Sequence, residues 1–532
     1  GSHELPMADC ASPEQHKVAG CGSAVHSYAD DEKAAFVQHV NATLGEDPDL
    51  ASIMPINDHD ESFFECCKDG VLLCKMINAA QPGTIFDKAI NLNAKSVHHK
   101  VENLNMCINS AKAIGISVVN IGPTDLLEAK PHLVLGMVWQ IIKIQLLSNV
   151  NLKECPELVV LLKEGEELAD LLKMPSEEIL LRWVNHHLEK AGSAKRIKNF
   201  GGDIKDSEAY TILLHQIAPE GQCTMAPMSE DDTKKRAELM LQEADKIGCR
   251  KFVKPSDVVG GNQKLNLAFV ATLFNEHPAL HMEDAKVEFD MATLEGDDGD
   301  SREERAFRNW MNSLGNEHIV QNLFSDAHDG VVLLETLDKV EPGCVDWKKV
   351  NKDSKMVFKK VENCNMIVDI AKKMGFHMTN IGGKDISDGN QKLILGVVWQ
   401  LMRHHTLSFL NKLSVGGKKI SEAEMLEWAN AEVTGTGSDL RMASFQDPSL
   451  KSGLFFMNLL KASEPSAINW EIVTPGVTDE DCEINAKYSL SVARKINCVV
   501  FLLWEDIVEV KPKMLTTFVG SIMARTLAAR GQ

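Results

Sequence analysis

A block of this chain returns 260 residues later without insertion or deletion, which restricts the fold to one assembled from repeated units. Asp69-Gly70-Val71-Leu72-Leu73 returns as Asp329-Gly330-Val331-Val332-Leu333, and Pro82-Gly83 as Pro342-Gly343. Lys100-Val101-Glu102-Asn103 returns as Lys360-Val361-Glu362-Asn363, Asn120-Ile121-Gly122 as Asn380-Ile381-Gly382, and Val138-Trp139-Gln140 as Val398-Trp399-Gln400. Apolar and turn residues held in register over such a span mean that one core is built twice. Each copy is followed by a shorter unit, and these two also resemble each other. Trp183-Val184-Asn185 answers to Trp428-Ala429-Asn430, and Lys246-Ile247-Gly248-Cys249 to Lys495-Ile496-Asn497-Cys498. Phe252, Asp257 and Phe269 answer to Phe501, Asp506 and Phe518. The order is A-B-A′-B′, with each unit the size of an ordinary single-core domain.

Within a unit the apolar spacing is helical. Ala35, Phe36, Val40 and Leu44 form one stripe, as do Phe307, Trp310, Met311 and Leu314. A helix over 101–114 is expected to stop at Gly115, and Pro131 suits the first turn of the apolar helix that follows it. Strand signals are sparse, so the fold class is all-α. The expected divisions are a disordered segment at 1–26 beginning with a tag remnant (Gly1-Ser2-His3), then domains at 27–148, 176–280, 301–410 and 421–530. Linkers are expected at 149–175, partly helical, at 281–300, and at 411–420, which contains Gly416-Gly417. Between His281 and Ser301 eight acids face Lys286 alone, so the middle linker reads as solvated and only partly ordered. As coil it would span on the order of 25 Å, a short tether between two binding modules.

Bulk properties exclude several classes. A net charge of −20 argues against a nucleic-acid binder, which needs a basic face. The most apolar helices, near 133–147 and 393–407, are interrupted by Gln140 and Lys143 or by Gln400 and Arg403 and are too short to cross a bilayer, so no membrane insertion is expected. Thirteen cysteines without any CxxC pair fit a reducing, cytoplasmic setting. Gly260-Gly261-Asn262-Gln263-Lys264 and Gly382-Gly383-Lys384 lack the GxxxxGK[ST] phosphate-loop pattern. The adjacent pairs His98-His99, His186-His187 and His404-His405 lack i,i+4 metal spacing, because neighbouring helical residues point about 100° apart. No nucleophile carries a recognisable motif. The expectation is therefore a binding protein, not an enzyme, with no cofactor, no catalytic residue and no metal.

The Asp-Gly-Val-Leu-Leu turn, the Lys-Val-Glu-Asn helix, the Ile-Gly…Asp loops (Ile121…Asp125, Ile381…Asp385) and the Val-Trp-Gln helix resemble calponin-homology domains. Four of them in two tandem pairs resemble the actin-crosslinking core of the fimbrin/plastin family, over roughly 27–527. The resemblance implies a monomer of the actin cytoskeleton that bundles F-actin tightly, each pair binding one filament and each chain two. The family carries two EF-hand calcium sites ahead of this core. No Asp-x-Asp-x-Asp-Gly-x₅-Glu loop occurs in this sequence, and Glu46-Asp47-Pro48-Asp49 contains a proline and lacks the spacing. By similarity, actin contacts fall on 30–44, 130–148 and 176–190 in the first pair and on 301–314, 390–408 and 421–433 in the second. On those elements Trp139, Trp183, Trp399 and Trp428 read as residues that fix the fold. Lys33, Lys130, Lys143, Lys392 and Arg403 are the candidates for pairing with acidic actin surfaces. Lys195-Arg196-Ile197-Lys198 and the lysines 348, 349, 359 and 360 are further basic clusters. The alternative reading is a scaffold with one pair on actin and the other on a different partner.

Overall fold

The Asp-Gly and Lys-Val-Glu-Asn motifs that repeat in the sequence are two halves of one buried clamp. In the computed structural model Asn103 Nδ2 donates to the carbonyls of Asp69 (2.9 Å) and Asn91 (3.0 Å), while its Oδ1 accepts from the Asn91 amide at 2.9 Å. Asn363 does the same to Asp329 and Asn351, and Asn485 to Ser452 and Thr474. Gly70, Gly330 and Gly453 precede the clamped helices at φ of 77°, 81° and 72°. A Cβ on any of them would lie 2.8–2.9 Å from the Cβ of the clamping asparagine, so both the backbone angle and the close approach require glycine. The second repeat departs from this: Ser207 takes the left-handed angle and Arg236 Nη1 reaches the Asp206 carbonyl at 3.2 Å.

The structure describes residues 15–19, 25–166, 168–172, 174–285, 302–352, 356–414 and 419–531. The acidic stretch 286–301, Gly416-Gly417 and the Gly1-Ser2-His3 remnant lie outside them. Four principal helices make each repeat: α1 (Asp30–Leu44), α2 (Val71–Ala80), α3 (Val97–Ala113) and α4 (Pro131–Leu147), then α5 (Ser176–Lys190), α6 (Glu208–Ile217), α7 (Thr233–Lys246) and α8 (Gln263–Glu276). The second half repeats them as α9 (Arg302–Ser313), α10 (Val331–Val340), α11 (Val357–Lys373) and α12 (Gln391–Leu413), then α13 (Glu422–Gly435), α14 (Leu454–Ser463), α15 (Asp479–Lys495) and α16 (Pro512–Arg530). All four repeats share two further devices. An asparagine in the first helix (Asn41, Asn185, Asn312, Asn430) exchanges two 2.8–2.9 Å hydrogen bonds with one loop residue (Ile56, Ile197, Val320, Met442). The aspartate of each Ile-Gly…Asp-type loop (Asp125, Asp257, Asp385, Asp506) accepts an amide three residues back at 2.8–2.9 Å.

Three boundaries differ from expectation. Across the end of 1–26, expected to be disordered, Gln15–Ala19 (β1) pairs antiparallel with Val25–Ala29 (β2), and β2 leads directly into α1; the pairing satisfies the backbone groups on the facing edges of the two strands. Helix α3 starts four residues before Val101 because Ser96 Oγ caps the His99 amide at 3.1 Å. Helix α12 runs into the expected linker at 411–420, since no Gly or Pro lies between Gly396 and Gly416 and Leu410 remains buried.

Contacts gather the chain into two units, Gly1–Lys68 with Glu128–Met291, and Asp69–Leu127 with Ala292–Gln532. In the first unit α4 packs on α1 and α8, and Trp139 stacks on fully buried Phe36 at 5.8 Å and 14°. Trp183 is fully buried, donates Nε1–H to the Pro278 carbonyl at 2.8 Å and meets Phe274 edge-on. Such an aromatic pair contributes about 1 kcal/mol beyond its area. His187, one turn on, is also buried, with Nε2 3.2 Å from the same carbonyl. Burial first, then neighbouring His186, lowers its pKa from 6.5 to about 4. The folded imidazole is thus neutral where an unfolded one takes a proton. Its contribution is fully present above about pH 6.5 and is lost as pH falls toward about 4, on the order of 3 kcal/mol in all. His187→Gln is expected to remove up to one proton from the acid slope of stability, measured by melting between pH 4.5 and 7.5; an unchanged slope would contradict the neutral imidazole.

In the second unit α12 packs on α9 and α16, repeating the arrangement of the first, and Trp399 stacks on Phe307 at 6.5 Å. The same unit packs α3, from the first repeat, along α15 of the fourth. Arg494 Nη1 donates to the Thr84 carbonyl at 2.7 Å, and Lys495 Nζ reaches Ala89 O at 3.0 Å and Asn91 Oδ1 at 2.8 Å. Asn109 Nδ2 donates to Arg494 O at 3.1 Å, and the Phe86 amide to Ser491 Oγ at 2.9 Å. Arg494 and Lys495 are both buried. Helix α9 adds a bond from Asn309 Nδ2 to Ala113 O at 2.6 Å. First and fourth repeats therefore meet through specific bonds, whatever the tether does.

Candidate functional site

Helices α1, α4 and α5 carry the expected contact elements of the first pair, and α9, α12 and α13 those of the second. The five candidate cations on them differ sharply. Lys33 is only 3% exposed, which corrects its expected place on the outer face. Its ammonium is drawn inward by the Asp60 carbonyl (3.1 Å), Glu61 (3.4 Å) and Asp30 (3.7 Å). Lys130, at the N-cap of α4, is half-buried and lies 3.3 Å from Glu128. Lys143 pairs with Glu177 at the start of α5. Arg403 pairs with Glu422 at 2.5 Å. Of the five, only Lys392 is exposed and, among the described residues, without an ion-pair or hydrogen-bond partner.

The paired cations form a pattern. Lys143 and Arg403 stand at the 260-residue offset, and each ties the last helix of one domain to the first helix of the next. A second tie repeats likewise: Lys264 on α8 lies 3.3 Å from Glu32 on α1, and Lys513 on α16 lies 2.6 Å from Glu303 on α9. Lys254–Asp31 (2.5 Å) and Arg302–Glu509 (2.5 Å) flank them. All are partly exposed, so each contributes no more than about 1 kcal/mol. Two pairs of domains are thus closed in the same way, and in each tie at least one partner stands on an element expected to meet a filament. In the first unit Lys143, Lys198 and Lys264 line one hollow of about 320 Å³ with Glu177.

The other basic residues divide similarly. Lys195 bonds Asp206 and Glu208, and Arg196 bonds Glu189, so of that cluster Lys198 is left to the hollow. Lys349 pairs with Asp346 and Lys360 with His328, whereas Lys348 is exposed. Next to this second cluster Met356, Val357 and Phe358 are 56%, 70% and 59% exposed, an apolar run overlooked in the sequence. Three consecutive apolar residues opening a helix were the available signal. Trp139 and Trp183 are buried, as a structural role requires, while Trp399 and Trp428 are half-buried.

The look-alike motifs have structural duties. Gly261 ends one helix at φ 72° and Asn262 caps the next through the Leu265 amide, so this glycine pair is a helix junction. Asp47 caps the Asp49 amide in a short turn. Two clusters bring ligand-type atoms within 4.8 Å: His98, His99 and Glu102, and Glu317, His318 and Glu335. The first pairs His98 with Glu102 at i,i+4, a spacing hidden by attention to His98-His99 alone. Its carboxylate already accepts from Asn91 Nδ2 at 2.7 Å and lies 3.8 Å from the Lys495 ammonium, where a metal cation would be repelled. Glu335 is held by the His318 amide and Nδ1 at 3.1 and 2.6 Å. Among the described residues no helix is long and apolar enough to cross a membrane.

The calponin homology (CH) domain model matches residues 30–146, 174–279, 301–407 and 419–528. The chain is similar to Fimbrin-4 of Arabidopsis thaliana, 48% identical over 503 residues that cover 94% of this chain and 77% of the relative. It is also similar to Plastin-3 of Homo sapiens, 46% identical over 514 residues covering 94% and 80%. Among solved structures it resembles the actin-crosslinking core of Schizosaccharomyces pombe fimbrin, with a TM-score of 0.81 at 40% identity, covering 93% of this chain and all of that one.

Proposed function

The chain belongs to the fimbrin/plastin family of calponin-homology proteins, with four such domains in an all-α fold, and from this we propose that it crosslinks actin filaments into tight bundles, each tandem pair holding one filament. The carrying observation is the duplication of the interdomain ties, Lys143–Glu177 with Lys264–Glu32 and Arg403–Glu422 with Lys513–Glu303. Two copies of one module in one chain give two filament sites, so a single chain serves as a bridge within the actin cytoskeleton. Lys392 offers an unpaired charge, and Met356, Val357 and Phe358 offer exposed apolar surface on the second pair. Apolar anchors surrounded by charges are what a protein interface needs at its centre. Binding is a matter of surface complementarity, and no bond-making step is invoked.

In this reading Lys143 and Arg403 reach acidic filament surface only by leaving Glu177 and Glu422. Glu177→Gln with Glu422→Gln frees both cations and removes two repelling carboxylates. Filament affinity is expected to rise about two- to fivefold, the scale of an exposed ion pair per module. High-force co-sedimentation against a filament titration measures it. Unchanged or weakened affinity would remove these two cations from the interface.

A further inference from the structure

We propose that the cleft lined by α3, α9, α12, α16 and the segment after α15 in the second unit is a binding site for a small monocarboxylate amphiphile, with the carboxylate on Lys112 and the apolar body against Trp310 and Phe409. The cleft measures about 700 Å³, within the range of small-molecule sites. Its wall is mainly apolar, and Phe409 is 49% exposed although its neighbour Leu410 is buried. Among the described residues no Asp or Glu lines it, in a chain whose net charge is −20. A cleft free of acids in so acidic a protein suits an anion.

Lys112 supplies the charge. It is half-buried and, among the described residues, has no ion pair and no hydrogen bond. Burial alone pushes its pKa down, the mark of a cation without a counter-charge. The other basic groups lining the cleft are accounted for. Arg525 donates to Ser463 O (2.7 Å) and Ile496 O (3.2 Å) and pairs with Glu464 at 2.9 Å. Burial holds His405 toward its neutral form. One ammonium without a guanidinium fork matches a single carboxylate better than a doubly charged phosphate. Because first, third and fourth repeats all contribute wall residues, an occupant would tie the three together.

The test is calorimetric titration of decanoate, below its micelle concentration, into the full chain at pH 7.5. Saturable one-to-one binding is expected, weakened at least tenfold by Lys112→Gln. Ala528→Phe, which fills the cleft but leaves the ammonium, is expected to abolish it. Lys112→Gln should melt no lower than the parent, since it removes an uncompensated cation. No saturable binding, or binding unmoved by either substitution, would overturn the proposal. Decyl phosphate binding more tightly than decanoate would overturn the carboxylate assignment. The readout is direct binding and does not depend on filament crosslinking.

Discussion

Asn363→Ala is expected to lower the local stability of the third repeat by about 3–5 kcal/mol. Asn363 is 1% exposed, and its amide bridges α11 to two loops. Truncation leaves the Asp329 and Asn351 carbonyls and the Asn351 amide without this partner, at about 1–3 kcal/mol for each buried group left unpaired. Because a four-domain chain does not unfold in one step, hydrogen exchange of the α10 and α11 amides is the appropriate measure. The same substitution at Asn103 and Asn485 should give losses of similar size, since both make the same three bonds. A loss below about 1 kcal/mol at all three would mean that the clamp is ornamental to the fold.

Lys495→Met should weaken the contact between α3 and α15 by about 3 kcal/mol. Lys495 is 7% exposed, as is Glu102, whose Oε2 lies 3.8 Å from the ammonium. Removing one member of a buried charged set leaves the other without compensation, which is far costlier than losing an exposed pair. It also leaves Ala89 O and Asn91 Oδ1 without their 3.0 and 2.8 Å donor. Exchange should quicken over 84–91 and α3, while α5–α8 remain as they were. Glu102→Gln in the same chain should restore part of the loss, because the orphaned charge is then gone. No change in exchange over α3 would show that the ammonium does not hold this contact.

These two positions also show what a sequence can and cannot reveal. Asn363 was legible as part of a motif repeated at a fixed offset, and the motif repeats because the clamp needs one side-chain length and one glycine at positive φ. Helix periods likewise exposed the stripes of α1 and α9, whose Phe36 and Phe307 are fully buried. Lys33 was misjudged because periodicity sees only its own helix. The carbonyl and carboxylates that pull it inward include Asp60 and Glu61, which come from a loop 27 and 28 residues away. Arg403 was placed on the expected element, but its pairing with Glu422 lies across a domain boundary, where helix spacing carries no information. The exposed Met356-Val357-Phe358 run was hidden for the opposite reason: apolar residues are taken as core until a fold shows them facing water. Lys112 carries no signal in its own helix, since only the meeting of three repeats encloses it.

The most direct test of two filament sites in one chain is co-sedimentation with actin filaments at low and at high centrifugal force. The duplicated modules predict that the chain pellets filaments at low force, which only crosslinked bundles do, and that it pellets with them at high force too. Pelleting at high force alone, with filaments left unbundled, would contradict crosslinking and leave a single working site per chain.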